Sequence, residues 1–143
     1  MLVLDTDTMT VWLDVRHALR DLLVRRLDRP DGLRRVTTVV SFQEQMGGWL
    51  ANIHRARKAE EIVRGYANLL QAFDGYRAFE LLPYDRAAQS QFEAFRKQRL
   101  RVPTMDLRIA CIARTRGATL LTRNLRDFRQ VPGLLVEDWS RGS

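Results

Sequence analysis

The sequence is poor in the residues that carry thiol, imidazole and lysine chemistry. Its one cysteine, Cys111, excludes an internal disulfide framework and fits a reducing compartment. Two histidines, His17 and His54, lie on apparent helical stretches far from the acids considered below, and no zinc-ligand spacing results. There is no Ser–His–Asp arrangement, phosphate-cradling P-loop or dinucleotide fingerprint. No run approaches the roughly 18 to 20 apolar residues needed to cross a bilayer. The opening "MLVLDTD" brings an acid before any basic residue, unlike a secretory leader. Repeats, low-complexity tracts and Gly/Ser linkers are also missing. These absences lead to the expectation of a soluble cytoplasmic protein without membrane association.

What is present is an ordinary globular composition, 45% hydrophobic and 29% charged over 143 residues. A single domain spanning 1–143 is expected, burying roughly two-thirds of its unfolded surface. Lysine is scarce, 2 residues against 22 arginines. Arginine suits bidentate phosphate contacts, although a GC-rich genome produces the same bias. The charge is uneven: residues 1–84 carry 12 basic against 11 acidic side chains, and residues 85–143 carry 12 against 6. A basic surface of this kind favours a polyanionic partner, most simply nucleic acid.

Apolar patterning alternates strands with helices. "LVL" (2–4) has the look of a short buried strand, and an apolar stripe from Val11 to Leu23 predicts a helix. "RPDG" (29–32) predicts a turn, and the β-branched "VTTVV" (36–40) a second strand. A helix is then expected from Ser41, interrupted at Gly47–Gly48, with another over about 55–73. "FELLP" (79–83) predicts a third strand and 84–99 a helix. Thr104 starts a further helix that Gly117 ends. "ATLLT" (118–122) and "GLLVED" (133–138) complete the strands. Such βαβ succession gives an α/β fold with a mostly parallel sheet of about five strands, covered on both faces. Function in such sheets collects beyond the carboxyl ends of the strands.

Acids stand where that rule puts function. Asp5 follows "LVL", Glu44 follows "VTTVV", Asp127 follows "ATLLT", and Asp106 opens the helix that feeds the fourth strand. Three have an ordinary alternative. "SFQE" (41–44) matches a capping box with Ser41 as N-cap, "NLRD" (124–127) matches a cap by Asn124 with Asp127, and Asp106 suits a first helical turn. Asp5 is expected to have no capping role. Capping alone would not select one rim for four carboxylates. Unpaired they would repel one another, and Mg²⁺ or Mn²⁺ would relieve this. Metal-held carboxylates beside arginines suit phosphodiester cleavage.

"LDTDT", the Glu of "SFQEQ", "TMDLRIACIA" and "GATLLTRNLRDF" followed by "PGLLVEDW" resemble PIN-domain ribonucleases of the VapC toxin family, in order and spacing, over essentially the whole chain. The resemblance implies a PIN-like three-layer α/β/α domain. By it, Asp5, Glu44, Asp106 and Asp127 are the catalytic quartet that binds Mg²⁺ or Mn²⁺, with Thr6, Thr122 and Asn124 as polar support. It further implies a toxin of a type II toxin–antitoxin pair that hydrolyses RNA, forms a homodimer, and is inhibited within a hetero-oligomer by a cognate antitoxin. Pro103 stands where relatives often have Gly, and Asn124 where many have Asp, which leaves the pocket one charge poorer. Arg123 and Arg126, flanking Asn124, are expected to face RNA phosphates.

Two alternatives are weaker. "LVLDTDT" is similar to the opening of haloacid-dehalogenase phosphatases, with Asp5 as nucleophile and Asp7 as acid/base. Position 9 is Met where that family wants Thr, and neither Lys58 nor Lys97 closely follows a strand. A catalytically silent RNA-binding PIN module is the other, disfavoured because all four acids are present. Cys111 is expected in the core, and Trp12 and Trp49 in helix packing or a partner surface.

Overall fold

The structure, a computed structural model, describes residues 1–142. Strands β1 (Leu2–Leu4), β2 (Arg35–Thr38), β3 (Glu80–Leu82), β4 (Thr119–Leu121) and β5 (Leu135–Glu137) form one sheet in the order β3-β2-β1-β4-β5. Every neighbouring pair is parallel, with Leu2 beside both Arg35 and Thr119. The strands are short because their apolar runs are short. Those of β1 are buried on both faces, as a central parallel strand requires.

Among the described residues, seven helices accompany them: α1 (Thr6–Leu13), α2 (Arg20–Leu27), α3 (Val39–Arg55), α4 (Ala59–Tyr76), α5 (Arg86–Lys97), α6 (Thr104–Thr115) and α7 (Leu125–Phe128). Strand alternation sorts the core into two clusters. Val3, Val36 and Leu120 join Ala88 and Phe95 of α5 and the buried stripe of α6. Leu2, Leu4 and Leu121 face the other way, onto Met9 of α1 and Tyr76 of α4. Each fully buried Leu or Ile contributes about 1.5–3 kcal/mol, so the two clusters fix the sheet between helical layers. The expected α/β architecture with a five-stranded sheet is observed, and the sheet is wholly parallel.

Element boundaries differ from the sequence expectation in three places. Val39 and Val40, expected in the second strand, open α3 instead. The N-cap is Thr38, whose hydroxyl accepts from the Ser41 amide at 2.9 Å, so Ser41 is not the cap. The α3 helix runs unbroken through Gly47 and Gly48. The single stripe expected from Val11 to Leu23 is two helices, separated at Asp14–Leu19, and His17 lies in that break. Two glycines of α4 mark close approaches: a Cβ on Gly65 would lie 2.7 Å from Ile53 Cγ1 of α3, and one on Gly75 would overlap Leu13 Cδ2 of α1. Gly117 ends α6 with φ +60, a conformation glycine adopts without strain.

Candidate active site at the switch of the sheet

The chain leaves β1 toward β2 and β3, then returns to the opposite side of β1 as β4. Beyond the carboxyl ends of β1 and β4 lies the switch point where open α/β sheets bind ligands. Asp5 sits there, directly after β1. Its amide donates to the Leu121 carbonyl of β4 at 3.1 Å, which ties the two strand ends together. Contrary to the sequence expectation, Asp5 does cap a helix: its carboxylate accepts from the Thr8 amide at 2.7 Å as the N-cap of α1. The Thr8 hydroxyl donates in turn to the Leu121 carbonyl at 2.8 Å.

Asp5 is only 3% exposed. Burial pushes its carboxyl up from 3.8 to about 7, against the lowering effects of hydrogen bonding from Thr122 and Thr8. A cap alone would not do this, because a cap favours the ionised form. Asp106, in the first turn of α6, is half-buried, and its carboxyl rises to about 6. Burial is the largest cause, followed by the negative charges of Glu44, Asp127 and Asp7. Glu44 on α3 and Asp127 on α7 thus act on Asp106 of α6 through their charge.

Polar neighbours fix two of these acids. The Thr6 hydroxyl donates to Glu44 Oε1 at 2.7 Å, across 38 residues of sequence. Glu44 therefore reaches toward α1, and the capping-box alternative with Ser41 does not form. Asn124 Nδ2 donates to Asp127 Oδ2 at 2.9 Å, and the Asn124 amide donates to Thr122 Oγ1 at 2.9 Å. Asn124 stands at the N-cap of α7 without a side-chain capping bond, so its side chain serves Asp127.

The two arginines differ. Arg123 Nη1 lies 3.6 Å from Asp7 Oδ1, an ion pair within the acidic field. Arg126 is exposed on α7. Asp7, which sequence reasoning placed only in the phosphatase alternative, adds its charge to both Asp5 and Asp106. Its place in the first turn of a helix capped by Asp5 was the available signal. Tyr76 carried no such signal. Buried beneath the site, its hydroxyl donates to the Ser41 carbonyl at 3.2 Å, and burial with the charges of Glu44 and Asp5 pushes its pKa upward.

The donor set is all carboxylate and hydroxyl oxygen, the chemistry that suits Mg²⁺ or Mn²⁺. In the side-chain positions observed, no group of three or more His, Cys, Asp or Glu among the described residues is placed to hold a metal ion. The acids surround a shared field without closing on one point. Asp106, raised by burial and by the charges of Glu44, Asp127 and Asp7, has the donor chemistry that a hard cation would relieve.

The phosphatase alternative finds no support in the geometry. Asp5 is buried and engaged as a cap, Lys58 is the N-cap of α4, and Lys97 ends α5. Cys111 is buried on α6, and burial pushes its thiol up to about 11, which makes it inert. Trp12 packs edge-on against Phe79. No helix among the described residues is long and apolar enough to cross a membrane.

No protein-family model matches the chain. A stretch of 65 residues is 40% identical to the tRNA(fMet)-specific endonuclease VapC of Shigella flexneri, covering 43% of this chain and 49% of that protein. The protein of the same name from Salmonella typhimurium is 38% identical over 64 residues, 42% of this chain and 48% of that one. The match thus spans about half the length of these curated relatives. The fold agrees over far more of the chain. A chain of DNA-bound VapBC from Salmonella typhimurium superposes with a TM-score of 0.70 at 25% identity, over 96% of this chain and 97% of that one. A chain of VapBC2 from Rickettsia felis, bound to a DNA fragment from its promoter, gives 0.71 at 18% identity, over 96% and 98%. The chain is thus similar in sequence to about half of a VapC endonuclease, and in fold, over nearly its whole length, to a chain of a VapBC complex.

Proposed function

We propose that the protein is a metal-dependent endoribonuclease and the toxin of a type II toxin–antitoxin module. One observation carries the reading: Asp5 and Asp106, beyond the switch point of a parallel sheet, have carboxyls raised to about 7 and 6 by burial and by neighbouring acids. A site built for packing would avoid this arrangement. Perturbed acids clustered at a strand-end rim mark a functional site.

In this reading Asp5, Glu44, Asp106 and Asp127 would hold Mg²⁺ or Mn²⁺. The bound ion would supply Lewis acidity, making a water nucleophilic near neutral pH and offsetting charge on the phosphodiester. The remaining work falls to the chain itself. Thr6 holds Glu44, and Asn124 holds Asp127, so both carboxylates meet the substrate in one orientation. Arg123 is held to Asp7 and acts through it, whereas Arg126 is exposed and free to meet a phosphate. The exposed Val63, Tyr66 and Leu70 of α4 give an apolar face for the proposed protein partners, a second copy of the chain and a cognate antitoxin.

The test is incubation of the purified chain with total RNA in Mg²⁺, in Mn²⁺ or in EDTA, with the cut sites mapped. Discrete cleavage in either metal and none in EDTA is expected. Asp106→Asn should lower the rate by more than about 100-fold, beyond what second partners of a metal site usually contribute. Cleavage that persists unchanged in EDTA, or in a folded Asp106→Asn variant, would defeat the reading.

A further inference from the structure

We propose that the turn joining α5 to α6 is a phosphate-gripping element for the RNA substrate, with Arg99 and Arg101 as its contact residues. This rests on the endoribonuclease reading above. The turn is a Schellman closure. The Arg99 amide donates to the Arg96 carbonyl at 3.0 Å, and the Leu100 amide donates to the Phe95 carbonyl at 3.1 Å. In that motif the residue after the cap takes a left-handed conformation, and glycine is the usual choice. Here it is Arg99, at φ 59, the one non-glycine residue with positive φ among those described. A charged, Cβ-bearing side chain thus stands where the backbone would be more relaxed with none. Stability gives no reason for it. Strain of this kind, held in place by its surroundings, concentrates at sites of function.

The surroundings hold it firmly. Arg96 stacks its guanidinium 5.0 Å from the Phe92 ring centroid. It donates to the carbonyls of Leu100 and Val102 at 3.0 and 2.9 Å and to the Thr104 hydroxyl at 3.1 Å. One arginine therefore braces the turn from within and anchors it to the first residue of α6, two residues before Asp106. Lys97, Arg99 and Arg101 are left exposed around that brace. Among the described residues, none of the three lies in an ion pair with a carboxylate. Five residues separate Arg101 from Asp106, so their Cα atoms can be no more than about 18 Å apart. A single strand whose scissile phosphate lay at Asp106 would bring phosphates a few nucleotides away within reach of Arg99 and Arg101. Planar guanidinium groups suit those phosphates.

Arg99→Gly separates the two roles of the position, because it should relax the backbone while removing the charge. The melting temperature is expected to hold or to rise by a few degrees. Affinity for a labelled mixed-sequence single-stranded RNA, measured in EDTA to prevent cleavage, should fall about three- to tenfold. The log–log salt slope should flatten by roughly 0.7. Arg101→Ala should do the same without touching the turn conformation. Arg25→Ala, exposed on α2, removes one charge elsewhere and should leave the slope within error. Equal effects from all three substitutions would overturn the proposal in favour of net charge alone. So would full affinity in both turn variants, or a marked loss of stability in Arg99→Gly. If those results came from a parent chain that still cleaved RNA in Mg²⁺, the endoribonuclease reading would stand while the gripping turn fell. A parent that neither bound nor cleaved RNA would remove both.

Discussion

Asp5 does two jobs that oppose one another. As the N-cap of α1 it is stabilised as an anion by the Thr8 amide, and as a residue 3% exposed it is penalised for being one. Burial wins, because the carboxyl sits near 7 where an unfolded chain would hold it at 3.8. The sign of the pH dependence follows. Between those values the folded state binds a proton that the unfolded state has released. Stability of the metal-free protein should therefore fall as pH rises from about 4 to about 7. Asp5→Asn keeps an N-cap acceptor and removes the titration. Melting curves in EDTA should show it more stable than the parent at pH 8, by a few kcal/mol at most, and equal at pH 4. Equal stability across that range would mean that Asp5 is an ordinary cap. Asp106→Asn should behave alike with a smaller effect and a window ending near 6, since that residue is half-exposed. The presence of acids at this rim was legible in the sequence, because an acid directly after a buried strand has few structural reasons to be there. The capping role of Asp5 and the bond from Thr6 to Glu44 were not. Each depends on which way a side chain turns across 3 to 38 residues of separation, and periodicity carries no such information.

Helices and strands were legible where the apolar run was decisive and blurred where two signals competed. Val39 and Val40 have strand propensity, yet Thr38 ends β2 by capping α3, and a cap with a satisfied amide outweighs a weak preference. Gly47 and Gly48 suggested a break, but α3 keeps its hydrogen bonds through them while its neighbour α4 supplies the packing. That packing has a testable contact. Gly65→Ala adds helix propensity of about 1 kcal/mol and a Cβ that would meet Ile53 Cγ1 at 2.7 Å. The clash should dominate, with a net destabilisation of about 1–3 kcal/mol in denaturant melts. In an Ile53→Ala background the same substitution should become neutral or stabilising, a coupling that a double-mutant cycle measures directly. Additive effects would place the tight contact elsewhere.

For the molecule as a whole, opposite charges are divided between depth and surface. The basic excess lies in residues 85–143, yet those residues also carry Asp106 and Asp127 into the acidic field. Arg126 stays outward, and Arg123 offsets the acidic field only in part, through its ion pair with Asp7. An ion that fits this field binds the folded chain and has nothing comparable to bind in the unfolded one, so it should stabilise the whole fold. At one hundred times its dissociation constant the gain is about 2.7 kcal/mol. For a chain of 143 residues this corresponds to a rise of roughly 5–11 °C in melting temperature. Mn²⁺ titrated against the parent should give that rise, and EDTA should reverse it. Ca²⁺ should give less if the pocket favours the smaller ion. In Asp106→Asn the unliganded protein should melt higher and the Mn²⁺ response should shrink, because the substitution relieves the repulsion that the ion would otherwise relieve. These two changes have opposite consequences for the melting temperature, so they cannot both arise from a general loss of structure. A full Mn²⁺ response in Asp106→Asn would show that the ion is held without that carboxylate, and would reduce Asp106 to an acid at the start of a helix.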